Sequence, residues 1–116
     1  MIGYQLFTTG MVEVPKNFNR NDKGTVSTQF ASVVEDTPIY KTVKKAESAL
    51  NKYRCEIFDI ANTLGNGKTR YAKEYYLMEV DYDEKTNIVN NWISIWAYAP
   101  YKNKHFDDEI TEKFDF

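Results

Sequence analysis

Residues 74–99 read EYYLMEVDYDEKTNIVNNWISIWAYA, and the two-residue rhythm of this stretch decides the fold class. Tyr76, Met78, Val80 and Tyr82 alternate with Tyr75, Leu77, Glu79 and Asp81. After the polar run Asp83-Glu84-Lys85-Thr86-Asn87, Val89, Ile93, Ile95 and Ala97 alternate with Trp92, Ser94, Trp96 and Tyr98. Period two is the pattern of half-buried strands, and the polar run supplies the turn of a β-hairpin. With Asp83 opposite Ile88, Tyr82 faces Val89, Met78 faces Ile93 and Tyr76 faces Ile95. The other side of that register sets Tyr75 against Trp96, Glu79 against Trp92 and Lys73 against Tyr98. A one-residue slip mixes the two sets, so the pattern favours one register. Tyr76, Met78 and Val80 with Ile93, Ile95 and Ala97 are then expected to form a core face beneath a helix. Tyr75, Trp92, Trp96 and Tyr98 are expected to share the opposite, aromatic face.

That helix is expected within residues 38–53, where Ile39, Val43, Ala46, Leu50 and Tyr53 form an amphipathic stripe. Thr37 with Pro38 behind it, or Thr42 further on, supplies the N-cap. Strands are expected at residues 2–14, with a bulge or turn at Thr8-Thr9-Gly10, at residues 25–34 and at residues 54–60. Lys16 to Gly24 is Asn- and Asp-rich and reads as a loop. Gly65-Asn66-Gly67 marks a tight turn. The chain is therefore expected to be α+β. Residues 1–106 would be a single compact domain, mainly an antiparallel sheet of about five strands with one helix on a face. Residues 107–116 follow as an acidic tail.

One domain of 116 residues can hold a core without metals or disulfides. Cys55 is the sole cysteine, which excludes a disulfide-stapled scaffold. No basic stretch followed by an apolar one opens the chain, and no apolar run nears the ~20 residues of a membrane span. The cytosol is the expected location. Lys, Asn, Tyr, Ile and Asp are frequent, and their A/T-rich codons point to a low-GC genome such as a Gram-positive bacterium or its phages. Aromatic residues make up 16% of the chain, nine of them tyrosines, which suit wet, half-buried surfaces.

Residues 62–69, Asn62-Thr63-Leu64-Gly65-Asn66-Gly67-Lys68-Thr69, lack the first glycine of a phosphate-binding loop. The following segment alternates as a strand, not as the helix such a loop needs, so a plain turn is expected. A nucleophilic pair would need Cys55 beside the lone His105 from a different part of the chain. The expectation is a structural thiol and a surface imidazole. No metal-ligand cluster is present and no cofactor is expected.

Two binding readings remain. The first is a non-enzymatic protein acting by protein–protein contact, through Tyr75, Trp92, Trp96 and Tyr98 and through the tail residues Phe106, Asp107, Asp108, Glu109 and Phe114. Small size, Tyr/Trp content and low-GC composition suggest an accessory protein of a phage or mobile element that inhibits a host enzyme or defence system. A homodimer through the aromatic face is the related alternative. The second reading is a single-stranded nucleic-acid binder using Lys41, Lys44, Lys45, Lys52, Arg70 and Lys73 beside the aromatics. An isoelectric point near 5.4 weighs against it. Charge is uneven, however. The tail holds five acidic residues against Lys113 in a chain of net charge −2, leaving a weakly basic body.

Overall fold

A computed structural model of the chain describes residues 1–16, 18, 31–62, 64–65 and 67–102. The expected residues 25–30 of the second strand, together with His105, Phe106 and the acidic tail, lie outside the described residues. The fold is α+β: two antiparallel sheets and one short helix. In chain order the elements are β1 (Ile2–Thr8), β2 (Val12–Glu13), β3 (Ser32–Val33), α1 (Val43–Leu50), β4 (Glu56–Ala61), β5 (Lys68–Lys73), β6 (Tyr75–Asp83) and β7 (Ile88–Tyr98). Among the described residues there are thus seven strands where about five were expected. They divide into a sheet ordered β3-β1-β6-β7 and a sheet ordered β2-β5-β4.

The two sheets are joined where paired strands cross together. The segment after the Gly65–Gly67 turn, expected to run on as a strand, breaks at Glu74 into β5 and β6. Their partner breaks at the same level, at Thr9 and Gly10, into β2 and β1. Gly10 adopts φ +68°, a left-handed geometry that glycine takes without the Cβ penalty. The Thr9 N–H donates to the Glu74 carbonyl at 3.0 Å, and the Glu74 N–H donates back to Thr9 Oγ1 at 2.9 Å. A third strand end closes the junction, since the Cys55 N–H donates to the Pro100 carbonyl and the Lys102 N–H to the Cys55 carbonyl. The backbone groups freed by breaking the ladders are thus satisfied within the junction.

Helix α1 is half the expected length. Thr42, not Thr37, is its cap: Thr42 Oγ1 accepts from the Lys45 N–H at 3.2 Å. Thr37 instead donates its hydroxyl to the Val34 carbonyl at 2.6 Å, and residues 34–40 run along the outer side of β1. Ile39 therefore leaves the helical stripe and packs beside Gly3 and Tyr82. The buried helix residues Ala46 and Leu50 pack with Leu6, Cys55, Leu77, Ala99 and Tyr101, bordered by Tyr4, Tyr53, Tyr75 and Ala97. The core face beneath the helix is thus the Tyr75/Leu77 side of β6, the reverse of the expected Tyr76/Met78/Val80 side.

The physical reason lies in β7. Asp83 pairs with Ile88 and Tyr82 with Val89, as the alternation predicts. Beyond that the register slips three times, so that Asp81 meets Asn91, Val80 meets Trp92, Glu79 meets Ser94, Met78 meets Ile95, Leu77 meets Ala97 and Tyr76 meets Tyr98. Asn90, Ile93 and Trp96 are the extra residues. Each bulge sets two residues of β7 against one of β6 and reverses the facing of all that follows. The second sheet has its own small core of Phe18 and Ala72 with Val12, Val14 and Ile57. Its β4–β5 turn is closed by Asn62 N–H to the Gly67 carbonyl at 2.9 Å and by Gly65 N–H to the Asn62 carbonyl at 3.0 Å. This is the plain turn expected there, followed by a strand.

The junction makes a specific prediction. Thr9→Val leaves the buried Glu74 N–H without an acceptor and should cost about 1–3 kcal/mol, whereas Thr9→Ser keeps the oxygen and should cost clearly less. Urea denaturation of the two variants checks this.

Candidate functional site

Strand β7 is the long edge of the four-stranded sheet. Among the described residues, no strand pairs with its outer side. It runs eleven residues from Ile88 to Tyr98 without one charged side chain. Trp92 is 58% exposed, Trp96 46%, Ile93 49% and Ile88 60%. Proteins usually blunt an exposed edge by keeping it short, by placing charges or proline on it, or by bulging it. Only the bulges are present here. The edge at the other end of the same sheet, β3, is two residues long.

The four aromatics expected on one face are divided between two. Tyr75 lies under the helix, its ring 4.7 Å from that of Tyr53. Trp96 is on the same side, edge-on to Tyr4 with centroids 5.7 Å apart and planes at 63°. Tyr98 is on the opposite side, 5.6 Å from Tyr76, which in turn stacks on Phe7 at 5.7 Å. Trp92, paired with Val80, belongs to that opposite side as well. The bulge at Ile93 accounts for the split, because Trp92 and Trp96 are four residues apart and would otherwise share a face. The N-terminal strand does not lie across the tryptophans as a second layer; only its Tyr4 ring meets Trp96 among the described contacts. The strand pairs edge-on with β6 inside the same sheet.

The basic residues are dispersed among several tasks. Lys44 and Lys45 are exposed on α1, and Lys52 is exposed just after it. Lys41 precedes the helix and pairs with Glu84 at 3.3 Å. The Lys73 ammonium sits 5.3 Å from the centre of the Tyr75 ring, within cation–π range. Arg70 is turned inward: Nε and Nη2 each donate to the Asp59 carboxylate at 2.7 Å, and Nη1 donates to the Phe18 carbonyl at 2.6 Å. Its guanidinium borders an open cleft of about 360 Å³ lined also by Lys16, Asp59, Gly67 and Lys68. This internal bonding ties Arg70 to the second sheet.

A polar cluster that the alternation did not reveal lies at the junction. Glu74 is 1% exposed, and its carboxylate accepts from Tyr101 Oη at 2.7 Å. Cys55 is wholly buried beside it, where its sulfur accepts from the Tyr75 N–H at 3.3 Å and lies 3.4 Å from the Ala99 carbonyl. A thiol enclosed this way packs as a small core group. Burial pushes the Tyr101 phenol well above its usual range, and the hydrogen bond to Glu74 adds to this. Burial, with Tyr98 and Glu74 nearby, pushes Tyr76 up to about 12. Burial raises Tyr98 too, again with Glu74 close by. The one signal in the sequence was the charge of Glu74 inside an otherwise continuous strand pattern.

Comparison with known protein families, with curated proteins and with solved structures finds no match. Among the described residues, no group of His, Cys, Asp and Glu is placed to hold a metal ion, and no helix is long and apolar enough to cross a membrane.

Two predictions follow from this placement. Trp96→Ala removes the contact with Tyr4 and should destabilise the fold by about 0.5–1.5 kcal/mol. Trp92 has no ring contact of this kind among the described residues, and Trp92→Ala should stay within about 0.5 kcal/mol of the parent. Thermal and urea unfolding of both variants separates them. The buried phenols also set the alkaline limit. The unfolded chain releases these protons from about pH 10, while folded Tyr76 holds its proton to about 12. Unfolding is therefore favoured as pH rises through that window, by roughly 1.4 kcal/mol per pH unit for Tyr76. Tyr76→Phe should flatten the decline in unfolding free energy measured from pH 9 to pH 11.

Proposed function

We propose that this is a non-enzymatic binding protein that works by protein–protein contact, and that the free edge of β7 is its contact surface. The observation that carries the reading is the placement of Trp92 and Trp96 on opposite faces of one exposed, uncharged edge strand. A ligand lying flat on either face meets only one of them. A strand added along the edge lies beside both, and its main chain answers the N–H and C=O groups of β7 that no described strand pairs. Strand addition of this kind draws affinity from the backbone and selectivity from alternate side chains. Tryptophan and neighbouring isoleucine are the anchors such contacts use.

Small size, abundant Tyr and Trp and the low-GC composition support a narrower form of the reading. In it the protein is an accessory product of a phage or mobile element, acts in the cytosol and inhibits a host enzyme or defence system. The nucleic-acid reading has less behind it. Stacking on single-stranded bases calls for aromatics and cations along one groove. Here the tryptophans are split, β7 has no cation, and Arg70 is engaged with Asp59.

The test is site-specific cross-linking. A photo-reactive residue at position 92 should join the protein to another polypeptide on irradiation in a bacterial lysate, and the same residue at Lys44 should not. No polypeptide adduct at 92, or equal adducts at both sites, would contradict a contact surface on β7.

A further inference from the structure

We infer that the strand received by the β7 edge is β7 of a second copy of this chain, paired antiparallel about a twofold axis through Trp92. The inference rests on the reading of β7 as a protein-contact surface and names its occupant. Three observations favour a second copy over a foreign strand. First, twofold pairing sets a strand against itself, so any charge near the axis meets its own duplicate. Like charges directly opposite are destabilising. β7 is uncharged from Ile88 to Tyr98, whereas its neighbour β6 carries Glu79, Asp81 and Asp83. A strand without charge has nothing to select an oppositely charged foreign partner, and nothing to repel its own copy.

Second, the facing of residues along β7 is symmetric about Trp92. Val89 and Ile95, three residues to either side, both lie opposite the Tyr82/Met78 side of β6, as Trp92 itself lies opposite Val80. Ile88 and Trp96, four residues to either side, both lie on the helix side, through Asp83 and through Tyr4 respectively. In a register centred on Trp92, Val89 therefore falls beside Ile95 of the partner subunit, and Ile88 beside Trp96 of the partner subunit, each pair on a common face. One bulge falls on each side of Trp92, at Asn90 and at Ile93, so the match that plain alternation would give is kept.

Third, the exposed apolar groups of β7 fall within this overlap: Ile88, Trp92, Ile93 and Trp96 all lie between residues 88 and 96. Pairing sets Ile88, Trp92 and Trp96 beside apolar groups and Ile93 beside the partner's Asn91, and joins two four-stranded sheets into one of eight strands. Closure by a twofold axis also ends the assembly, because each copy has a single long edge of this kind among its described strands.

The experiment is sedimentation analysis over a wide concentration range on the full chain, with variants at the axis. The wild type should show a concentration-dependent monomer–dimer equilibrium. Trp92→Lys and Trp92→Glu, both at an exposed position, should each weaken dimerisation at least tenfold with unchanged circular dichroism. Mixed in equal amounts, the two variants should re-form a dimer, because a twofold axis at this position sets lysine against glutamate. A wild type that is monomeric throughout, or variants that dimerise like the wild type, would overturn the second copy as occupant. The cross-linking at position 92 then decides the broader reading separately. An adduct with a different polypeptide keeps β7 as a protein-contact surface without self-pairing, and no adduct removes both.

Discussion

The paired exchange between Thr9 and Glu74 is the constraint on which the rest of the structure depends. Two strands that would otherwise run on as one long ribbon must change sheets together, and each break in a ladder exposes donors and acceptors to a dry interior. Thr9 and Glu74 answer each other through both backbone and hydroxyl, and Tyr101 caps the carboxylate that is buried with them. An unmet polar group in that position would cost about as much as a sizeable part of a domain's net stability. With the junction in place, β5 and β6 can differ in their partners. β6 pairs with β1 and β7, and β5 with β2 and β4. The helix then closes over the four-stranded sheet beside the junction, where Leu50, Cys55, Leu77, Ala99 and Tyr101 meet.

The exposed edge follows from the same architecture. β1 occupies the inner side of β6, so β7 is left outermost, and the short helix covers the sheet's face without reaching around the strand. The three bulges give β7 eleven residues for eight partners on β6. They turn an alternating strand into one that shows apolar groups to both sides and along its rim. A surface of that form favours an extended partner over a flat one, since main-chain pairing and side-chain contact are offered in the same line.

Much of this was legible in the chain. The α+β class, the hairpin, its turn pairing Asp83 with Ile88, the Thr42 cap and the Gly65–Gly67 turn all follow from local chemistry. What failed had one cause. Periodicity assumes an unbroken register, and a bulge carries no strong mark in sequence. The consecutive polar pair Asn90-Asn91 and the adjacent apolar pairs Trp92-Ile93 and Trp96-Ala97 were the places where alternation faltered. Reading through them put the helix on the wrong side of β6 and both tryptophans on one face. The junction was hidden for a related reason. Glu74 looks like one polar residue in a strand, and only the simultaneous break at Thr9, sixty-five residues earlier, makes it the point where the sheets divide. Helix length was overread because Ile39 and Tyr53 continue the stripe by spacing while packing from outside the helix.

Nuclear Overhauser contacts of the two indole rings measure the bulged register directly. Trp96 should show contacts to the Tyr4 ring, and Trp92 backbone protons should show cross-strand contacts to Val80, with none between the two indoles. Contacts of Trp92 to Glu79 together with contacts of Trp96 to Tyr75 would mean an unbulged hairpin with both tryptophans on one face, and would contradict the two-faced edge.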